Sequence, residues 1–215
     1  FGPPNHKVIG TLYLYSGVWG GLFGASLSLM IGMQLGLPGP LFLKSDWFFN
    51  VVVTSHALVM IFFAVMPILI GAFGNWLIPL LIGGKDMIYP RMNNLSYWLA
   101  PNALYLLMLS FSTDKGVGAG WTVYPPLSSV PFHGGPSMDV LIVSLHVAGL
   151  SSLVGAINFL STNKNLPVVE MKGERAELYV LSISVTAALL ILSIPVLGGG
   201  VTMILFDRNF NTTFF

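Results

Sequence analysis

The chain contains no cysteine and very little charge. Without a thiol there can be no disulfide, no thiolate zinc site and no cysteine-ligated iron–sulfur cluster. Only 8% of its 215 residues are charged, against 54% hydrophobic. No soluble domain of this size could cover its surface with so few charges, so the composition is that of a multi-pass membrane protein. A mean hydropathy of +0.80 agrees. The net charge of +1 lacks the basic excess that nucleic-acid phosphates demand, which excludes an electrostatic nucleic-acid role. No P-loop, GxSxG or HExxH string occurs, so nucleotide, serine-hydrolase and zinc-protease chemistry find no support. No cleavable signal peptide is read, because FGPPNHK leads into the first apolar run without a short apolar core and cleavage motif. The start without Met and the closing NTTFF read as the cut ends of a fragment.

The chain is instead rich in long apolar segments. They fall at roughly 11–35, 47–84, 95–111, 138–163 and 177–206, which predicts five membrane helices and no separate soluble domain. The acids and bases fall in loops or at span ends. The longest run, Trp47 to Gly84, is uncharged between Asp46 and Lys85. At about 1.5 Å per residue it exceeds a hydrocarbon core of roughly 30 Å, so it must tilt, bend at Pro67 or Pro79, or protrude. Lys7, Lys85, Arg91, Lys164, Lys172 and Arg175 collect at one end of the predicted bundle, and Lys44, Lys115 and Arg208 at the other. The positive-inside rule then places the N-terminus on the cytoplasmic or matrix side. The Gly-, Pro- and aromatic-rich loop 112–137 suits a cap on the opposite side, while 163–177 reads as a plain charged connector.

Three features carry candidate chemistry. His56 lies about nine residues inside the second span, roughly a dozen ångströms deep, where a titratable ring is costly without a partner. It is either an axial haem ligand, since neutral imidazole brings no charge into lipid, or a packed histidine bonded to a neighbouring carbonyl. His146 sits at similar depth in the fourth span, so a bis-histidine b-type electron carrier using both rings stays open. His6 and His133 are expected to be solvated. The second feature is a stripe of small residues on the first span, Gly20, Gly24, Ser28, Gly32 and Gly36, which leaves one face bare for a helix or a flat cofactor. The third is a set of uncharged polar groups, Tyr13, Asn75, Asn93, Ser151, Ser152 and Asn158, with Asp86 at the mouth of the inner loop. These groups can hold a file of water, or simply bond helix to helix. No Asp or Glu lies within a span to receive a proton.

The strings NHKVIGTLYLYSG, FNVVVTSHALVMIFFAVMPILIGAFGNWLIPL, KDMIYPRMNNLSYWL, GAGWTVYPPL, SLHVAGLSSLVGAINF and SIPVLGGGVTMILFDRNFNTTFF resemble subunit I of the haem–copper oxidases, in its mitochondrial form. The likeness runs through essentially the whole chain but reaches only five of that family's twelve helices. It implies a partial subunit of an all-α transmembrane bundle in the mitochondrial inner membrane. Its partners would be the other oxidase subunits, cytochrome c as electron donor, and the lipid bilayer, with electron transfer to oxygen coupled to proton pumping. A quinol oxidase of the same superfamily is the nearest rival.

The resemblance also implies residue roles. His56 would be an axial ligand of haem a, with Gly24 and Ser28 on the haem-facing wall. Asp86, Asn93, Asn75, Tyr13, Ser151, Ser152 and Asn158 would form part of the D proton pathway. His146 would then bind no iron. The ligands of the oxygen-binding second haem and of copper are absent from this stretch, so no complete catalytic centre is expected in it. Gly32 stands where the family usually carries an arginine near the haem a formyl group, which implies an altered haem a spectrum.

Overall fold

A computed structural model describes residues 4–36, 38–39, 43, 45–168 and 175–215. Lys44 and Lys172, two of the cations in the charge bias, lie outside the described residues. Among the described residues five helical rods account for the regular structure and no strand occurs. They are α1 (His6–Leu35), α2 (Asp46–Leu81), α3 (Pro90–Ser112), α4 (Ser137–Asn165) and α5 (Leu178–Asn209). Asn5 caps α1 by accepting from the Lys7 N–H, and Ser45 caps α2 by accepting from Phe48. Pro90 starts α3 at the one position where a missing N–H costs nothing.

Four rods, α1, α2, α4 and α5, are long and apolar enough to cross a membrane. At 23 residues α3 is long enough, about 34 Å, but less apolar. The reason is visible in its burial. Asn93 and Ser96, on its first turns, are turned inward and buried. That part of its polarity faces protein, where hydrogen-bond partners replace water, while Asn102 is exposed and donates its amide to the Trp98 carbonyl one turn back.

The excess length of α2 is met by loosening rather than by breaking. Over Val59–Val65 and Pro67–Ala72 the backbone widens to i→i+5 hydrogen bonds, as from the Met66 N–H to the Ile61 carbonyl and from Phe73 to Ile68. Pro67 offers no N–H to the Phe63 carbonyl four residues back. That carbonyl packs instead on α1 at Gly20, where a Cβ would stand 2.6 Å from its oxygen. The wide turns of one helix and the bare face of the other thus fit together.

α1 packs chiefly on α2, α3 on α4, and α4 on α5. One apolar cluster fills the half of the bundle near the 112–137 loop, with Leu58, Phe63, Leu107, Leu141 and Val201 among its members. Another, including Ile78, Ile82, Met87, Phe159 and Ile183, fills the opposite half. The outward faces stay apolar, Leu178, Leu192 and Val196 being more than 70% exposed. Such a surface is stable only against lipid or another helix.

The two ends sort as the charge pattern predicts. At one end Trp76 donates its indole N–H to the Lys7 carbonyl, and the Val168 N–H donates to Ile82. At the other, residues 113–136 form a cap. Trp47 donates to the Lys115 carbonyl, and the Gly120 N–H to Thr54 Oγ1.

Two expectations of solvated histidines are corrected here. His6 and His133 are each only 3% exposed. The His6 ring donates from Nδ1 to the Asn75 carbonyl at 2.7 Å, tying the start of α1 to α2. His133 donates from Nδ1 to the Leu127 carbonyl and accepts the Gly118 N–H on Nε2. Both rings have found backbone partners more than burial alone would suggest from a loop or terminal position. Arg208, counted as a peripheral cation, is also buried. Its guanidinium pairs with Asp139 at 2.7 Å and donates to the carbonyls of Ser128, His133 and Gly135.

Candidate functional site

His56 is half-buried where α1 and α2 meet. Its Nδ1 lies 2.9 Å from the Gly24 carbonyl oxygen. A carbonyl can only accept, so Nδ1 carries the hydrogen, and in the neutral ring Nε2 then keeps its lone pair. This is the form of the ring that binds a metal, with its orientation set by the bond made on the other side. Gly24 is buried because the helices approach too closely for a side chain, a Cβ there falling 2.5 Å from Met60 Sδ.

The small-residue stripe divides at this point. Gly20 and Gly24 are packed against α2, whereas Ser28, Gly32 and Gly36 are exposed, and a Cβ on Gly32 would meet nothing within 4 Å. One imidazole with a free Nε2 beside an open shelf of small residues suits one axial position and one edge of a flat macrocycle. Among the described residues no group of three or more His, Cys, Asp or Glu side chains could hold a bare metal ion.

The uncharged polar residues assemble between α1, α2, α3 and α4. Asn75 donates its amide to the Gly71 carbonyl and accepts from Asn93 Nδ2, both at 2.6 Å. Ser96 donates to the Ser151 carbonyl, and Ser151 donates back to the Ser96 carbonyl. Since the Ser96 hydrogen is thereby used, the Tyr13 hydroxyl must be the donor in its 2.8 Å contact with Ser96 Oγ. These groups line a cavity of about 60 Å³ together with Ser152, Phe62 and Met66. Such a space holds a few waters, and the lining provides the several polar contacts each would need.

Asp86 and Asn158 stand apart from that cavity, nearer the end of the bundle. Asp86 is half-exposed and accepts from the Met87 N–H. Asn158 clips the Tyr89 backbone, accepting its N–H and donating to its carbonyl. Three partners escaped sequence reading. Ser96 was detectable, lying three residues after Asn93 and so on the same face of α3. Thr162, which accepts the Ile88 N–H, and His6 offer no such local signal.

His146 differs from His56 in leaving no nitrogen free. Its Nδ1 faces the Ile142 carbonyl at 2.7 Å and its Nε2 faces Thr202 Oγ1 at 2.8 Å. Two ring nitrogens committed to protein oxygens are a poor start for an iron ligand.

A model of the family described as cytochrome c and quinol oxidase polypeptide I matches residues 8–215. The chain is 89% identical over 211 residues to cytochrome c oxidase subunit 1 of Mytilus edulis, covering 98% of this chain and 38% of that protein. It is 49% identical to the protein of the same name from Pecten maximus, over 98% of this chain and 44% of the relative. The Candida albicans protein of that name is 48% identical, over 98% and 40%. The chain therefore spans about two-fifths of the length of these curated relatives.

Proposed function

Since the chain belongs to the cytochrome c and quinol oxidase polypeptide I family, we propose that it is the membrane-embedded electron- and proton-handling part of a terminal oxidase. In the whole subunit electrons pass from cytochrome c to oxygen, and the chain lies in the mitochondrial inner membrane beside the other oxidase subunits. The names of the relatives, all cytochrome c oxidases, favour that donor over a quinol.

The reading rests above all on one observation, the His56 ring held by its Nδ1–H on the Gly24 carbonyl with Nε2 left as a lone pair. His56 would hold the iron of haem a from one side, with Gly24 and Ser28 along the wall. Haem a, when bound, supplies a one-electron relay. The chain's own part is to orient the imidazole, keep it neutral and exclude water from that side. The oxygen-binding second haem and copper belong to the remainder of the subunit.

Proton handling falls to the second constellation. Asp86 collects protons at the bundle end, and Asn93, Asn75, Tyr13, Ser151 and Ser152 support water in the 60 Å³ cavity. Asn158 shapes the entrance by holding Tyr89. A file of neutral donors and acceptors moves a proton without ever burying a fixed charge. The bis-histidine carrier is not favoured, since both nitrogens of His146 are engaged.

The test uses the full-length subunit in the assembled oxidase. His56→Ala should abolish the low-spin haem a absorbance while the complex is still present. An unchanged visible spectrum would remove His56 as the ligand.

A further inference from the structure

The face that α1 turns to α2 is built largely of small residues, and the neighbouring helix fills the gaps. A Cβ on Gly17 would fall 2.6 Å from Ile68 Cγ1, and one on Gly20 2.6 Å from the Phe63 carbonyl oxygen. At Tyr13, which stands between Gly10 and Gly17 on the same face, the roles reverse. The large side chain now comes from α1 and the bare site from α2. A Cβ on Gly71 would stand 2.6 Å from Tyr13 Cδ1, 2.7 Å from Cγ and 3.1 Å from Cδ2, so the phenol ring rests directly on that glycine.

A second wall comes from α3. Tyr97 meets the Tyr13 ring edge to face, with centroids 5.1 Å apart and planes at 83°, and both rings belong to one buried cluster with Ile9 and Ala72. Held in this way, the Tyr13 ring carries its hydroxyl to Ser96 Oγ at 2.8 Å. With its hydrogen given to Ser96, the phenol oxygen keeps lone pairs for water in the cavity of about 60 Å³ that Tyr13, Gly71, Asn75 and Ser152 line together. Gly71 has one further tie to that cavity, its carbonyl accepting the Asn75 amide at 2.6 Å. Alanine at this position would keep the carbonyl and with it the anchor of the Asn75–Asn93 pair. Its methyl group would press on the ring near the attached end, and the resulting tilt is largest at the far end, where the hydroxyl sits.

We propose that Gly71 and Tyr97 clamp the Tyr13 ring and so place its hydroxyl at the cavity wall, an assignment that rests on the proton route proposed above. Both are positioning residues. Gly71 acts through the side chain it lacks and Tyr97 through the edge of its ring, and neither offers a side-chain group to the water. A clamped phenol presents its lone pairs without reorganising, whereas a rocking one must be turned back before it can support the file.

Proton uptake by the assembled oxidase, compared at equal haem content, tests the clamp, with the complete subunit carrying Gly71→Ala, Tyr13→Phe or both. Each single change should slow uptake about fivefold, the scale of one lost neutral hydrogen bond. The double variant should be no slower than Tyr13→Phe, because a clamp with no hydroxyl to place has nothing left to do. Wild-type uptake in Gly71→Ala or in Tyr13→Phe overturns the clamp. So does a double variant slowed by the product of the two single effects, which is the mark of general loosening. If Gly71→Ala does not assemble, Tyr97→Leu, which removes the other side of the clamp, takes its place in the same comparison. Asp86→Asn separates the clamp from the route. If it slows uptake while the clamp variants do not, the clamp alone fails, and if it too leaves uptake unchanged, the route fails with it.

Discussion

A methyl group added at position 20 or at position 24 meets different neighbours, although the two glycines lie one turn apart on α1. At Gly20 the new carbon would sit 2.6 Å from the Phe63 carbonyl oxygen and 3.2 Å from its carbon, which are backbone atoms and cannot step aside alone. At Gly24 it would meet Met60 Sδ and Cγ, the far end of a flexible side chain. Overpacking typically costs about 1–3 kcal/mol. Gly20→Ala is expected near the top of that range and Gly24→Ala near the bottom, read as thermal stability of the assembled complex. Because the Gly24 carbonyl holds the His56 ring, any displacement of α1 should also appear as a shifted haem a band. At the cap, Arg208 makes four hydrogen bonds with a side chain only 3% exposed. Arg208→Met removes all of them and leaves the Asp139 carboxylate without its cation, holding only the Asn209 amide. The expected loss is about 3 kcal/mol, the lower end for a broken buried pair, because Asp139 keeps some contact with water. Thermal unfolding followed by loss of the cap from protease protection would measure it.

Between helices, the 113–136 cap behaves as one element whose fastening depends on pH. His133 is wedged against Trp47, ring centroids 4.7 Å apart, and its neutral Nδ1–H form is the one that fits both of its hydrogen bonds. Burial pushes its pKa below the usual 6.5. The Leu127 carbonyl pulls it upward, and the nearby Arg208 charge adds to the lowering. The unfolded cap therefore binds a proton at a higher pH than the folded one. Stability from this ring is full above pH 6.5 and is lost as pH falls through the depressed folded value. Protonated Nε2 would also set N–H against the Gly118 N–H. Limited proteolysis within the cap should accelerate between pH 7.5 and pH 5, and His133→Gln should flatten that dependence. A cap equally resistant at both pH values would refute the assignment. The same element scale explains α2. Its widened turns around Pro67 are where the Phe63 carbonyl settles on Gly20, so the irregularity of one helix is matched by the smallness of the other.

For the whole molecule, the proposed proton route requires that the charged mouth and the neutral interior lie in series. Asp86 is half-exposed at the bundle end, and the Asn93–Asn75 contact stands between that end and the Tyr13–Ser96–Ser151 group. Asp86→Asn removes the collecting charge without altering the interior, so proton uptake in the complete oxidase should slow by an order of magnitude or more, roughly the scale of general acid–base assistance. Turnover and pumping stoichiometry at wild-type levels would count against this route.

What the sequence determined by itself was whatever depends on local composition. Apolar runs between charged loops specify the number, length and direction of the helices, because a bilayer forces every span to satisfy its own backbone. The depth of His56, the shared face of Ser151 and Asn158, and the common end of the N-terminus and the 83–94 loop follow from counting along helices. Tertiary contacts alone decided the rest. His6 and His133 are buried by backbone carbonyls and amides that no local pattern announces, the His6 partner lying 69 residues away. The small-residue stripe is continuous along α1, yet only Gly20 and Gly24 meet α2, since beyond them the contact passes to Leu27, Met30 and Ile31, which pack with Phe49 and Val52 and leave Ser28 and Gly32 exposed. Equal depth made His56 and His146 look alike, and they parted only when Gly24 left one nitrogen free on the first while Ile142 and Thr202 engaged both on the second. Hydropathy acts on each helix separately. Hydrogen-bond partnership is settled between helices, by which faces the packing brings within three ångströms.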